Sequence, residues 1–218
     1  QLLREILTKL TIPMVVDADA LNLLGGQLDI FKAVRVPAVL TPHPGEAAWL
    51  LKTTISEVEQ NRVKVAKQIA EGYNVTVVLK GRFTVIAAPD GRVRVNPTGN
   101  RGLATGGTGD VLSGIIGGLL AQRLAPFEAA TAGVYLHGLA GERASRRLGP
   151  DGLLAGDLLP LLPRLLRQLK EKDLEPLWPP HPNSKTSGKP YSNSSKSANR
   201  ASTNTSKPRA SRKSPDTT

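Results

Sequence analysis

The sequence predicts an α/β domain around a mostly parallel sheet, and three observations carry that prediction. Short apolar runs at 13–17, 38–40 and 75–79 each end in polar residues, as strands buried on both faces do. Helical apolar spacing fills the chain between them, and a Pro-Asp-Gly turn at 89–91 separates two further strand-like runs.

The elements follow in chain order. Residues 2–10 have helical spacing, and 13–17 (Pro-Met-Val-Val-Asp) reads as the first strand. A second strand at 38–40 precedes helices at 45–51 and 56–71, the latter opened by Ser56 as a cap with Glu59 three residues on. The third strand is 75–79. Strand, helix, strand, helix, strand implies right-handed crossovers and a parallel sheet. Residues 83–88 and 92–95 flank the 89–91 turn as a hairpin. Beyond it come three helical stretches, 110–122, 126–147 and 158–169, with Asp157 reading as the cap of the last.

Composition divides the 218 residues in two. The 39% hydrophobic content supports a core over 1–178, whereas 179–218 contains no Val, Ile, Leu, Met, Phe or Trp and reads as a disordered basic tail rich in Ser, Pro, Asn and Lys. Eight Lys or Arg against Asp216 give that tail most of the chain's +11 charge, so the high pI does not describe the domain surface and implies no specific nucleic acid. With no cysteine, a disulfide framework and a thiolate zinc site are excluded, and a reducing compartment fits. No apolar run approaches the roughly 20 residues needed to span a bilayer. The chain opens on Gln1 without a signal-peptide pattern and reads as a processed or truncated piece.

In a parallel sheet, ligands bind beyond the carboxyl ends of the strands, where this chain clusters its polar residues. Asp17, Asp19 and Asn22 follow the first strand, with Asp19 the stronger candidate for a substrate or metal contact and turn capping the plain alternative. After the second strand, Thr41-Pro-His-Pro-Gly-Glu46 holds His43 and Glu46 between two prolines. This pair also fits simple helix capping. The third strand runs into Lys80-Gly-Arg-Phe-Thr84, which suits phosphate contact and equally a solvated hairpin rim. His137, inside an apolar helix, reads as a core histidine.

The fourth cluster is the most specific. Asn96-Pro-Thr-Gly-Asn-Arg-Gly-Leu-Ala-Thr-Gly-Gly-Thr-Gly-Asp110 runs a glycine-rich loop into a helix whose apolar pairs (Val111, Ile115, Leu119; Leu112, Ile116, Leu120) recur four residues apart. Such a junction offers backbone N–H groups to an anion. It is neither a Walker A loop nor a dinucleotide fingerprint. The amides of Thr108, Gly109 and Asp110 are expected to face the transferring phosphoryl group, with Asp110 taking the proton of the incoming hydroxyl.

The order of these motifs carries a resemblance. Val16-Asp-Ala-Asp-Ala-Leu-Asn22, Leu40-Thr-Pro-His-Pro-Gly-Glu46, Val78-Leu-Lys-Gly81, the glycine loop to Asp110 and Gly133-Val-Tyr-Leu-His-Gly-Leu-Ala-Gly141 together closely resemble the NAD(P)H-hydrate dehydratase family, over about 2–169. The resemblance implies a ribokinase-like three-layer fold and a cytoplasmic metabolite-repair lyase. Such an enzyme uses ADP or ATP with Mg2+ to phosphorylate the hydroxyl of S-form hydrated NADH or NADPH, and loss of phosphate restores the dihydronicotinamide. It assigns His43 and Asp110 to the hydrated dinucleotide. To the nucleotide it assigns Lys80, Gly81, Arg82, Phe83 and Thr84, and Asn100, Arg101, Gly102, Leu103, Ala104, Thr105, Gly106, Gly107, Thr108 and Gly109. Glu46 is linked to magnesium through the Asn-x-x-Glu element of related kinases, in which His43 replaces Asn. A homotetramer without membrane association is also implied. Family domains begin with strands and helices that precede Gln1, so an N-terminally truncated domain is expected. The alternatives are a vitamin kinase of the same superfold, acting on a hydroxymethylpyrimidine, thiazole or pyridoxal, and a catalytically silent piece.

Overall fold

The computed structural model describes residues 2–171, within the first of the two units, 1–175 and 176–218, into which the chain divides. The expected tail at 179–218 lies outside the described residues.

Five strands form one sheet in chain order: β1 (Met14–Val16), β2 (Ala38–Leu40), β3 (Thr76–Leu79), β4 (Val85–Ala87) and β5 (Val93–Val95). The first three are parallel, with Met14 opposite Ala38 and Leu40 opposite Val77. The Pro-Asp-Gly turn folds β4 and β5 into an antiparallel meander, in which Leu79 faces Val85 and Ile86 faces Arg94. Every residue of β2, β3 and β4 is buried, which explains why these strands, Thr76 apart, read as apolar runs without alternation.

Period-two geometry sends alternate side chains into two layers. Leu40, Val77, Leu79, Val85 and Ala87 join a core with Leu7, Leu21, Leu28, Phe31, Ala47, Val65 and Ile69. Those residues come from α1 (Leu2–Lys9), α2 (Asp19–Leu24), a 3-10 segment (Leu28–Ala33), α3 (Pro44–Leu51) and α5 (Arg62–Tyr73). Val39, Val78 and Ile86 are equally buried but stand at the alternate register. On the sheet's other side, α7 (Pro126–Leu148) packs against β2, β3 and β4, and α6 (Thr108–Ala121) packs against β1 and α7.

Two predicted helices differ in detail. The expected 56–71 helix is broken into α4 (Ile55–Gln60) and α5 at Asn61, whose side chain turns back to donate to the Glu57 carbonyl at 3.2 Å. Its cap is Thr54 with Glu57, one of two overlapping Thr/Ser-x-x-Glu frames, and not Ser56 with Glu59. The last helix, α8 (Leu162–Glu171), begins later than expected: Asp157 accepts the Leu154 N–H at 2.8 Å and closes a 3-10 turn, Ala155–Asp157, and a second 3-10 turn, Leu159–Leu161, follows before the helix.

Candidate active site

The ends of β1, β2 and β3 are fixed to one another one step beyond the strands. Thr41 N–H donates to the Val16 carbonyl at 3.1 Å, and Lys80 N–H to the Pro42 carbonyl at 2.8 Å. Asp17, His43 with Glu46, and Lys80 therefore leave the sheet along one edge.

Lys80 Nζ donates to Asp17 Oδ1 at 2.6 Å and lies 3.8 Å from Glu46 Oε2. Ser113, one turn into α6, donates its hydroxyl to Asp17 Oδ2 at 2.7 Å. Burial pushes the Asp17 carboxyl up. The Lys80 and Ser113 hydrogen bonds and the Lys80 charge outweigh it, holding Asp17 below the ordinary 3.8. Gly109 lies against this pair: a Cβ there would stand 3.9 Å from both Asp17 Oδ2 and Lys80 Nζ. Asp17 thus occupies the site, and Asp19, the expected contact, is exposed at the start of α2.

His43 caps α3, its Nδ1 accepting from the Gly45 amide at 3.0 Å and the Glu46 amide at 3.2 Å. A nitrogen used as acceptor carries no proton, so Nε2 is the N–H end of this ring. Glu46 is buried, and its Oε2 accepts the His43 amide at 2.7 Å. The ring caps with Nδ1, while Nε2 lies 3.5 Å from Glu46 Oε1, so both nitrogens face the start of α3 although the ring itself is exposed.

The segment after β3 is held from below. Arg62 Nη2 donates to the Leu79 and Lys80 carbonyls, both at 3.0 Å. Gly81 has φ 142, which favours glycine, and a Cβ on it would come 2.8 Å from Arg62 Nη2 and press on the guanidinium that holds this segment. Arg82 and Phe83 are exposed, with the guanidinium 5.2 Å from the ring centre. The Thr84 hydroxyl donates to the Gly81 carbonyl at 3.0 Å. Lys80 is therefore no solvated rim residue: its ammonium is committed to Asp17.

Asn100 caps a 3-10 turn, Arg101–Ala104, by accepting the Gly102 amide at 2.9 Å. Arg101 pairs with exposed Asp151. Gly102 packs so closely on Pro150 that a Cβ would lie 2.7 Å from its carbonyl oxygen. The Thr108 hydroxyl donates to the Leu103 carbonyl at 2.6 Å and the Thr105 carbonyl at 2.8 Å, folding the loop onto the start of α6. Gly107 turns the chain at φ 85, and a side chain at Gly106 would meet nothing within 4 Å.

The three amides expected to face the anion do not share one state. Thr108 N–H is used internally, donating to the Thr105 carbonyl, whereas the Gly109 and Asp110 amides have no backbone acceptor among the described residues. These two amides stand beside the Lys80–Asp17 pair at the positive end of α6, where an anion would be favoured. Asp110 is exposed in the same turn.

His137 is buried, and its Nε2 lies 2.8 Å from the Thr108 carbonyl. A carbonyl only accepts, so Nε2 carries the proton. Burial holds this imidazole below the ordinary 6.5, against the opposing pull of the Thr108 bond. It is a core histidine, as expected, with a bond into the loop that its sequence setting did not announce.

Among the described residues no three His, Asp or Glu side chains gather into a metal cage. Asp17 and Glu46 are the two carboxylates gathered here, both facing the Lys80 ammonium. A magnesium ion arriving on phosphate oxygens would need only one or two protein carboxylates.

Ser113 and Arg62 were missed from the sequence. Ser113 stands three residues after Asp110 and so shares its helix face. Arg62 gave no local signal, because it acts on backbone carbonyls 17 and 18 residues away.

A mostly parallel sheet layered by helices, with a glycine-loop helix start beside a strand-end lysine, is a ribokinase-like architecture. The profile of the NAD(P)H-hydrate dehydratase family matches residues 1–164, and the chain belongs to that family. It is 50% identical over 171 residues to the bifunctional NAD(P)H-hydrate repair enzyme of Moorella thermoacetica, covering 78% of this chain and 32% of that one. It is 48% identical over 151 residues to the ADP-dependent (S)-NAD(P)H-hydrate dehydratase of Neisseria meningitidis, covering 68% of this chain and 51% of that one. The crystal structure of the ADP/ATP-dependent NAD(P)H-hydrate dehydratase of Bacillus subtilis, co-crystallized with ATP/Mg2+, superposes with a TM-score of 0.63 at 39% identity, over 72% of this chain and 55% of that one. The chain thus spans about a third to a half of the length of these curated relatives.

Proposed function

We propose that this chain carries the phosphoryl-transfer half of a nucleotide-dependent (S)-NAD(P)H-hydrate dehydratase, a carbon–oxygen lyase that restores NADH or NADPH. The observation that carries this reading is the seating of Gly109 against the Lys80–Asp17 pair, with Asp110 exposed on the next residue. The relatives' named activities and the ATP/Mg2+ of the Bacillus structure support it.

In this reading the nucleotide's terminal phosphate rests on the Gly109 and Asp110 amides, facing the positive end of α6. Lys80 supplies the fixed cation, with its charge held in place by Asp17. The hydrate's hydroxyl oxygen forms a bond to the terminal phosphorus while the bond to the bridging oxygen breaks. Asp110 takes the hydroxyl proton. Phosphate then departs with the carbon–oxygen bond, and loss of the neighbouring ring proton restores the dihydronicotinamide. The exposed ring of His43 is the surface offered to the hydrated dinucleotide, with Nε2–H turned toward Glu46 Oε1. The segment from Lys80 to Thr84, and the loop from Asn100 to Gly109, hold the nucleotide. Magnesium, when bound, supplies charge neutralisation to the polyphosphate, and Glu46 is the carboxylate that would hold it. A cytoplasmic homo-oligomer belongs to the same reading.

The vitamin-kinase alternative is disfavoured by His43 at the position of the kinases' Asn. A panel of hydrated NADPH, hydroxymethylpyrimidine, thiazole alcohol and pyridoxal, each with ADP or ATP and magnesium, separates the two. Free phosphate released with the hydrate alone is expected. A stable phosphorylated alcohol would replace this reading with the kinase.

A further inference from the structure

We infer that one face of α7 is the template that sets the glycine loop, and that His137 is a positioning residue acting through the Thr108 carbonyl; this rests on the loop's proposed role in nucleotide binding. Successive turns of this helix hold both ends of the loop. Tyr135 offers its carbonyl to the Thr98 hydroxyl at 3.3 Å. Gly138 carries no side chain because a Cβ would overlap Thr98 Oγ1 and come 2.8 Å from the Thr98 backbone. A Cβ on Gly141 would lie 2.7 Å from Leu103. Glu142 Oε1 accepts the Gly99 amide at 2.9 Å, and Ser145 donates to Asn100 Oδ1 at 3.0 Å. His137, on the same face, reaches across to the other end of the loop at Thr108.

The chemistry of these contacts is directional. Glu142 and Ser145 fix where the loop enters, through an amide and through the cap of the Arg101–Ala104 turn. His137 fixes where it leaves, because its Nε2–H pins the carbonyl of the first residue of α6. The next two amides in the chain are Gly109 and Asp110, the pair without a backbone acceptor. A small rotation of that first turn would swing both away from the Lys80–Asp17 pair. His137 touches no proposed ligand position itself, so its effect on binding passes through backbone geometry.

Hydrogen exchange on the unliganded protein tests this directly. His137→Leu should raise exchange of protected amides in 99–111 by about tenfold, the cost of one lost buried hydrogen bond, with β1–β3 amides unchanged. His137→Gln, which keeps a donor, should lie nearer the parent. Ser145→Ala, at a half-buried site, gives a second reading if the leucine variant does not fold: faster exchange confined to 99–103. Unchanged exchange in the loop for the folded variants, or protection lost evenly across the sheet, would overturn the inference. Affinity for ADP with magnesium is measured alongside. Loss in His137→Leu and partial rescue in His137→Gln are expected, and equal affinity in all three proteins would refute the positioning role. An unmutated protein that binds no nucleotide would sink the proposed function, while the exchange result would still judge the template.

Discussion

Asp110 and Asp17 flank Gly109 with opposite duties. Asp110 is exposed at a helix start and is assigned the acceptor's proton, so Asp110→Asn should lower turnover by about two to four orders of magnitude with nucleotide affinity largely kept. Steady-state kinetics beside a binding titration check this split. Asp17 is tied by Lys80 and Ser113, and its role is to hold the ammonium. Its carboxyl lies below 3.8 in the folded protein, so the unfolded chain binds the proton more readily. The stability it contributes is therefore full above about pH 3.8 and fades as the pH falls through the lower folded value. Asp17→Asn should cost about 1–3 kcal/mol at neutral pH, and its denaturation curves should lose that acid-side dependence. Of these two residues, the sequence announced Asp110 through its glycine-rich neighbours. It favoured Asp19 over Asp17, since which of two carboxylates faces inward depends on Ala18, held at φ 50, and no local pattern predicts that.

At the scale of elements, the buried strands were legible because parallel strands covered on both faces must be apolar throughout, as Val77, Val78 and Leu79 are. Helix ends were less so. Thr54 and Ser56 present competing capping frames, and the helix divides at Asn61, where the backbone leaves helical geometry and the side chain bonds the Glu57 carbonyl. The glycines of α7 were visible as a motif, but their reason was not, because it lies in Thr98 and Leu103 from another part of the chain. Gly138→Ala should be destabilising by about 1–3 kcal/mol through overpacking, with nucleotide affinity falling in the same variant. Gly106→Ala, where a side chain meets nothing in the protein, should leave stability near the parent value. Melting curves of the two separate packing from loop chemistry.

Across the whole molecule, three strand ends, one helix start and one supporting helix converge on a single edge of the sheet. The fold places Lys80 beside Asp17, 63 positions earlier, and Ser113 beside the same carboxylate from 96 positions later. Ligand binding at that edge should stabilise the domain: ADP or ATP with magnesium at about a hundred times its dissociation constant should raise the melting temperature by roughly 5–10 °C. The most direct measurement of the central claim is recovery of dihydronicotinamide absorbance from hydrated NADPH, followed with and without ADP and magnesium, using a polypeptide that carries this domain and its Asp110→Asn variant. Recovery that requires nucleotide and collapses in the variant is the predicted result. No recovery from the unmutated protein, or equal recovery from the variant, would contradict the assignment of this edge as the dehydratase site.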